Sequence, residues 1–124
     1  MSSTADLDTT RVRAGKNQSL FREVNERIQE LSARNPSVFE ELHSSRTILF
    51  ACECMDETCT EQVTMTIGEY ELVRADSNSF FVLAGHDVPD VEEIVREEPA
   101  YVVVSKLGVG AAVAEKLDPR KRAR

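Results

Sequence analysis

The sequence predicts an α+β fold: a small three- or four-stranded sheet packed with helices, led by an amphipathic helix. Three observations predict it. A stripe of apolar residues at spacings of three and four runs from Leu20 to Leu31. Four short runs rich in Val, Ile, Phe and Tyr follow it, at Thr47–Ala51, Val63–Ile67, Phe80–Leu83 and Tyr101–Val104. Helix-start signals lie between them rather than hairpin turns alone.

The elements follow in order. Residues 1–17 lack periodicity and read as a flexible N-terminal arm. From Gln18, Leu20, Phe21, Val24, Ile28 and Leu31 share one helical stripe, with Arg22, Glu23, Glu26, Arg27 and Glu30 around the other side. That helix either covers one face of the sheet or mediates homodimerisation. Asn35-Pro36 stops it, because the residue before proline avoids the α region. Pro36 can then open a short helix through Val38, Phe39 and Leu42. Thr47–Ala51 reads as a buried strand leading into Cys52. Val63, Met65 and Ile67 alternate with threonines, as a half-buried strand does. Thr66 and Glu69 fit a capping box, so a helix burying Tyr70 and Val73 should follow. Phe80–Leu83 is the third strand, closed by Gly85. Pro89 reads as opening a helix with Val91, Ile94 and Val95, Tyr101–Val104 as the fourth strand, and Ala111–Leu117 as a last helix. Residues 18–117 thus form one domain, and 118–124 a basic C-terminal tail.

All three cysteines fall in Cys52-Glu53-Cys54-Met55-Asp56-Glu57-Thr58-Cys59. Residues i and i+2 of a strand point to the same side, so Cys52 and Cys54 can converge, and four intervening residues let Cys59 fold back to them. Three thiolates at one point suggest a metal, with Zn²⁺ the best match; structural zinc takes four ligands. His86, in the Gly85-His86-Asp87 turn, is the leading fourth ligand, with Asp87 placed to orient it. His43 lies nine residues before Cys52, most of a strand length away, and ranks below it. Asp56, Glu57, Glu61 or water are the remaining options. His86 arrives beside the cysteines only if the second and third strands are not parallel partners. The rival readings are a thiol redox site, unrelated thiols, and iron or an Fe–S cluster; Glu53, Asp56, Glu57 and Glu61 weigh against reactive thiolates.

The chain has 124 residues and a net charge of −7, but its last six residues carry four cationic side chains, leaving −11 on the rest. An acidic body disfavours nucleic acid, which could be met only through the basic tail. No apolar run approaches the ~20 residues of a membrane helix, and the opening residues do not read as a secretory signal. Clustered cysteines, odd in number, suit a reducing cytoplasm. No nucleophile motif, phosphate loop or carboxylate dyad stands out, which weighs against an enzyme.

Phe21–Ile28, Cys52–Cys54 with Cys59–Glu61, Glu69–Arg74, Phe80–Val82 and Gly85-His86 together resemble a set of short, uncharacterised actinobacterial proteins. The resemblance covers residues 18–106. It implies a bacterial cytoplasmic setting and a common site for Cys52, Cys54, Cys59 and His86, and it brings no activity with it. The reading that results is a non-enzymatic, zinc-binding domain acting through macromolecular interaction, with another protein favoured over nucleic acid as the partner. The alternatives are a metal- or redox-responsive regulator and a metalloenzyme with an open zinc position.

Overall fold

The computed structural model describes residues 4–34, 47–56 and 58–122. It is α+β. Helix α1 (Thr4–Arg34) precedes a two-stranded antiparallel sheet of β1 (Thr47–Ala51) and β2 (Gln62–Thr66). Helix α2 (Ile67–Arg74) leads to β3 (Ser79–Val82), β4 (Glu92–Glu97) and β5 (Val102–Lys106), an antiparallel sheet in the order β3-β5-β4. Helices α3 (Val109–Lys116) and α4 (Pro119–Arg122) end the described chain.

The capping box forms as the sequence predicts. Thr66 Oγ1 accepts from Glu69 N at 3.1 Å, and Glu69 Oε1 accepts from Thr66 N at 3.0 Å. This fixes where β2 becomes α2 and turns Tyr70 and Val73 inward. The core is aromatic and β-branched: Phe50 stacks on Tyr70 at 4.5 Å, Phe81 meets both edge-on, and Val102, Val103 and Val104 are all buried. The two sheets are joined by this core and by the segment that follows β1.

Four expectations need correction. Helix α1 begins at Thr4, so residues 4–17 continue the helix instead of preceding it. They contain no proline, and a helix once nucleated propagates through such residues without an apolar stripe. Residues 89–97 hold no helix. A turn closed by Val91 N and Glu92 N on the Val88 carbonyl leads into β4, whose β-branched Ile94 and Val95 suit a strand paired with β5. β1 is a strand, but Leu49 is exposed and only Phe50 is fully buried. The basic segment folds back: α4 brings Arg120 against Glu26 and Glu71. The short helix expected at Val38–Leu42 lies outside the described residues.

The largest surprise is the face α1 presents to the body. Gln18, Ser19, Arg22, Asn25 and Glu26 are buried, while Leu20, Val24 and Leu31 are 59%, 49% and 65% exposed. The helix is amphipathic, and it is seated polar side in. Arg22 explains much of this. Its Nη1 donates to the Ser77 carbonyl at 2.6 Å and its Nη2 to the Ala114 carbonyl at 2.7 Å, with the guanidinium over the Phe80 ring. Glu26 adds ion pairs to Arg74 and Arg120. Such bonded polar contacts outcompete the apolar stripe, of which only Phe21 and Ile28 are half-buried, Ile28 against the core.

Candidate metal centre

Past Ala51 the chain stays extended. Cys52 N donates to the Glu61 carbonyl at 3.0 Å, and Glu53 N donates to the Phe81 carbonyl at 3.0 Å. Alternation therefore sends Cys52 and Cys54 to one side and Glu53 to the other. The return of Cys59 is built by Asp56. Its Oδ1 accepts from Thr58 N at 2.9 Å and from Thr58 Oγ1 at 2.6 Å, and its carbonyl accepts from Cys59 N at 3.0 Å.

His86 comes from the turn after β3. His86 N donates to the Leu83 carbonyl at 2.9 Å, and Gly85 takes φ +89°, the left-handed region that glycine enters without a Cβ clash. β2 and β3 belong to different sheets, so no parallel crossover carries the histidine away. Its Nδ1 lies 3.6 Å from Cys52 Sγ and 3.8 Å from Cys59 Sγ. One ligand atom from each of Cys52, Cys54, Cys59 and His86 falls within 4.8 Å of all the others, a group that could hold a metal ion. Leu83 N also donates to Cys52 Sγ at 3.4 Å, a bond that strengthens a thiolate.

The other options separate cleanly. The Asp56 carboxylate is engaged by Thr58. Asp87 makes no hydrogen bond to His86 among the described residues. His43 and Glu57 lie outside them.

The electrostatics say what the group can do. Burial pushes the Cys52 thiol up to about 12; the Leu83 amide opposes this, and the neighbouring sulfurs of Cys54 and Cys59 add to it. Burial raises Cys54 as well. At neutral pH such thiols hold their protons and are poor nucleophiles. A divalent cation reverses this by supplying the missing positive charge.

Sequence reasoning missed Glu53 as a structural hub. Its Oε1 accepts from Phe81 N at 3.3 Å and its Oε2 from Asn25 Nδ2 at 2.9 Å. Its carbonyl accepts from Gln18 Nε2 at 2.7 Å. Burial drives this carboxyl up to about 7 even though Asn25, Arg74, Arg22 and the Phe81 amide favour its charge. The signal was present as Gln18, Arg22 and Asn25, polar residues spaced four and three apart on one helical face. Among the described residues no helix is long and apolar enough to cross a membrane. Comparison with family models, curated proteins and solved structures finds no match to this chain.

Proposed function

We propose that Cys52, Cys54, Cys59 and His86 bind one structural Zn²⁺, and that the domain so stabilised acts in the bacterial cytoplasm by binding another protein. The observation that carries the metal assignment is the convergence of all four ligand atoms within 4.8 Å. A tetrahedral zinc with Zn–S of ~2.3 Å and Zn–N of ~2.0 Å separates sulfur from nitrogen by about 3.5 Å. The Nδ1 of His86 lies at 3.6 and 3.8 Å from the sulfurs of Cys52 and Cys59. Three soft sulfurs and one imidazole favour zinc over magnesium or calcium, which take oxygen. A fourth protein ligand fills the position that a catalytic zinc keeps for water.

The binding role is supported by the surface. Leu20, Val24 and Leu31 face solvent along α1 on an acidic body. A protein offering an apolar ridge bordered by Lys and Arg complements it. Nucleic acid is less suited, because Arg120 is already paired with Glu26 and Glu71.

Native mass spectrometry on protein purified without added metal tests the first half: one zinc per chain is expected, lost or weakened in Cys59→Ser and His86→Ala. A photo-crosslinking residue at Leu20 tests the second, with a discrete protein adduct expected from cells. A metal-free wild type would remove the zinc assignment. Reproducible small-molecule turnover without any adduct would remove the binding role.

A further inference from the structure

We propose that the cysteine cluster is a latch for helix α1: metal at the cluster fixes Glu53, Glu53 holds Gln18 and Asn25, and loss of metal loosens this stretch of the helix, leaving the separate Arg22 contacts to Ser77 and Ala114 as its remaining anchor. This rests on the metal-binding reading above and adds regulation to it.

The latch is a single residue set between two ligands. Cys52 and Cys54 flank Glu53, so where their sulfurs are held, together with the Phe81 backbone that bonds Glu53 N and Oε1, sets the position of its carbonyl and carboxylate. Both groups bind α1, the carbonyl through Gln18 Nε2 at 2.7 Å and the carboxylate through Asn25 Nδ2 at 2.9 Å. Asn25 also brackets Ala51, the residue before Cys52, by Nδ2 to its carbonyl at 2.9 Å and Oδ1 to its amide at 2.8 Å. Gln18 and Asn25 thus hold the Ala51–Glu53 segment through four directional hydrogen bonds. Such bonds weaken steeply when their partners shift by an ångström.

The helix is also built to leave. Its docked face is polar, and Gln18 Oε1, Ser19 Oγ and Arg22 Nε are buried there with no hydrogen-bond partner among the described residues. Water would satisfy all three once the helix opens. Leu20, Val24 and Leu31 already face solvent, so of its apolar stripe only the half-buried Phe21 and Ile28 gain exposure on opening. The β3-β5-β4 sheet does not depend on the cluster for its own pairing. Release of metal thus has a local, hydrated state available to it, short of unfolding. The exposed leucine stripe rides on α1, so metal state sets how that surface is presented to a partner.

Hydrogen exchange on the full chain tests this, with metal counted by native mass spectrometry before and after chelation under reducing conditions. Amides of residues 18–28 are expected to exchange at least about tenfold faster without metal, as loss of two hydrogen bonds implies. Those of β4 and β5 should change far less, whereas the Phe81 and Leu83 amides, bonded to Glu53 and Cys52, belong to the cluster's own neighbourhood. Asn25→Ala should give the fast α1 exchange with metal still bound, and Gln18→Ala a smaller shift in the same direction. Unchanged α1 exchange after verified metal removal would overturn the latch while leaving the metal site intact. Uniform acceleration of every segment would also overturn it, since metal would then support the whole domain equally. A wild type that binds no zinc when reconstituted would overturn the metal reading itself, and the latch with it.

Discussion

Asn25 grips the backbone of Ala51 at two points, donating to its carbonyl at 2.9 Å and accepting from its amide at 2.8 Å. The side chain stands in for a missing neighbouring strand at the outer edge of β1. Replacing Asn25 with alanine leaves both Ala51 groups and the Glu53 Oε2 without these partners. Each stranded group costs on the order of 1 kcal/mol or more, so a loss of about 2–3 kcal/mol is expected. Urea denaturation of Asn25→Ala measures it; a midpoint equal to wild type would show that this edge is hydrated and the grip unimportant.

The orientation of α1 makes a second prediction that runs against the helical pattern. If Leu20 and Leu31 faced the core, a charged replacement would cost several kcal/mol. They are instead among the most exposed apolar side chains. Leu20→Lys and Leu31→Lys should each leave stability within about 0.5 kcal/mol of wild type. Arg22→Ala, a change on the polar face, should be the damaging one, because it empties a fully buried position and strips the Ser77 and Ala114 carbonyls. Thermal melts of the three variants decide the matter, and a collapse of either leucine variant would mean the helix is seated the other way.

The cysteine spacing, the Gly85-His86 turn and the Thr66–Glu69 capping box were legible because each is local: a few residues fix the geometry by their own chemistry. The strand at β4 was not. Val91, Ile94 and Val95 fit a helical stripe by spacing, and only pairing to β5, a later segment, makes them a strand. Helix α1 shows the same limit more sharply. Its periodicity reports that two faces differ, and it cannot report which one the body prefers. That choice was made by Ser77, Ala114, Arg74 and Glu53, residues far along the chain that offer carbonyls and charges to a polar face. Arg120 belongs to the same class: its charge reads as tail solvation until Glu26 and Glu71 are seen beside it.

Metal exchange gives a third prediction. Three sulfurs and one nitrogen around cobalt(II) produce intense thiolate-to-metal charge-transfer absorption and a tetrahedral visible spectrum. Wild type reconstituted with cobalt should show both, and zinc should bleach them. His86→Ala should keep the charge-transfer band and shift the visible bands as water replaces nitrogen. Cys52→Ser should lose part of the charge-transfer intensity and melt at a lower temperature, since metal affinity contributes directly to folding. A cobalt spectrum identical in wild type and His86→Ala would remove the histidine from the ligand set.

The fourth prediction concerns acid. Asp118 is buried between Arg74 Nη2, Ser77 Oγ and the Arg120 amide, accepting from each. Burial alone would raise its carboxyl; the bonds from Ser77, Arg120 and Arg74 outweigh burial and hold it below the ordinary carboxylate value. The unfolded chain protonates such a group near pH ~3.9. With the folded value lower, the unfolded state takes up the proton first, so stabilisation from Asp118 is complete above the unfolded value and disappears as pH falls through the folded one. Asp118→Asn should therefore be less stable than wild type at pH 7 by about 1–2 kcal/mol, since Arg74 loses one charged partner and keeps Glu26. The gap should narrow as the pH drops below about 4. Any acid release of metal acts on both proteins alike and cancels in the difference. Urea midpoints for the pair between pH 3 and 7 measure it. A gap that stayed constant down to the lowest pH would show that Asp118 contributes through shape and hydrogen bonding alone, with no part for its charge.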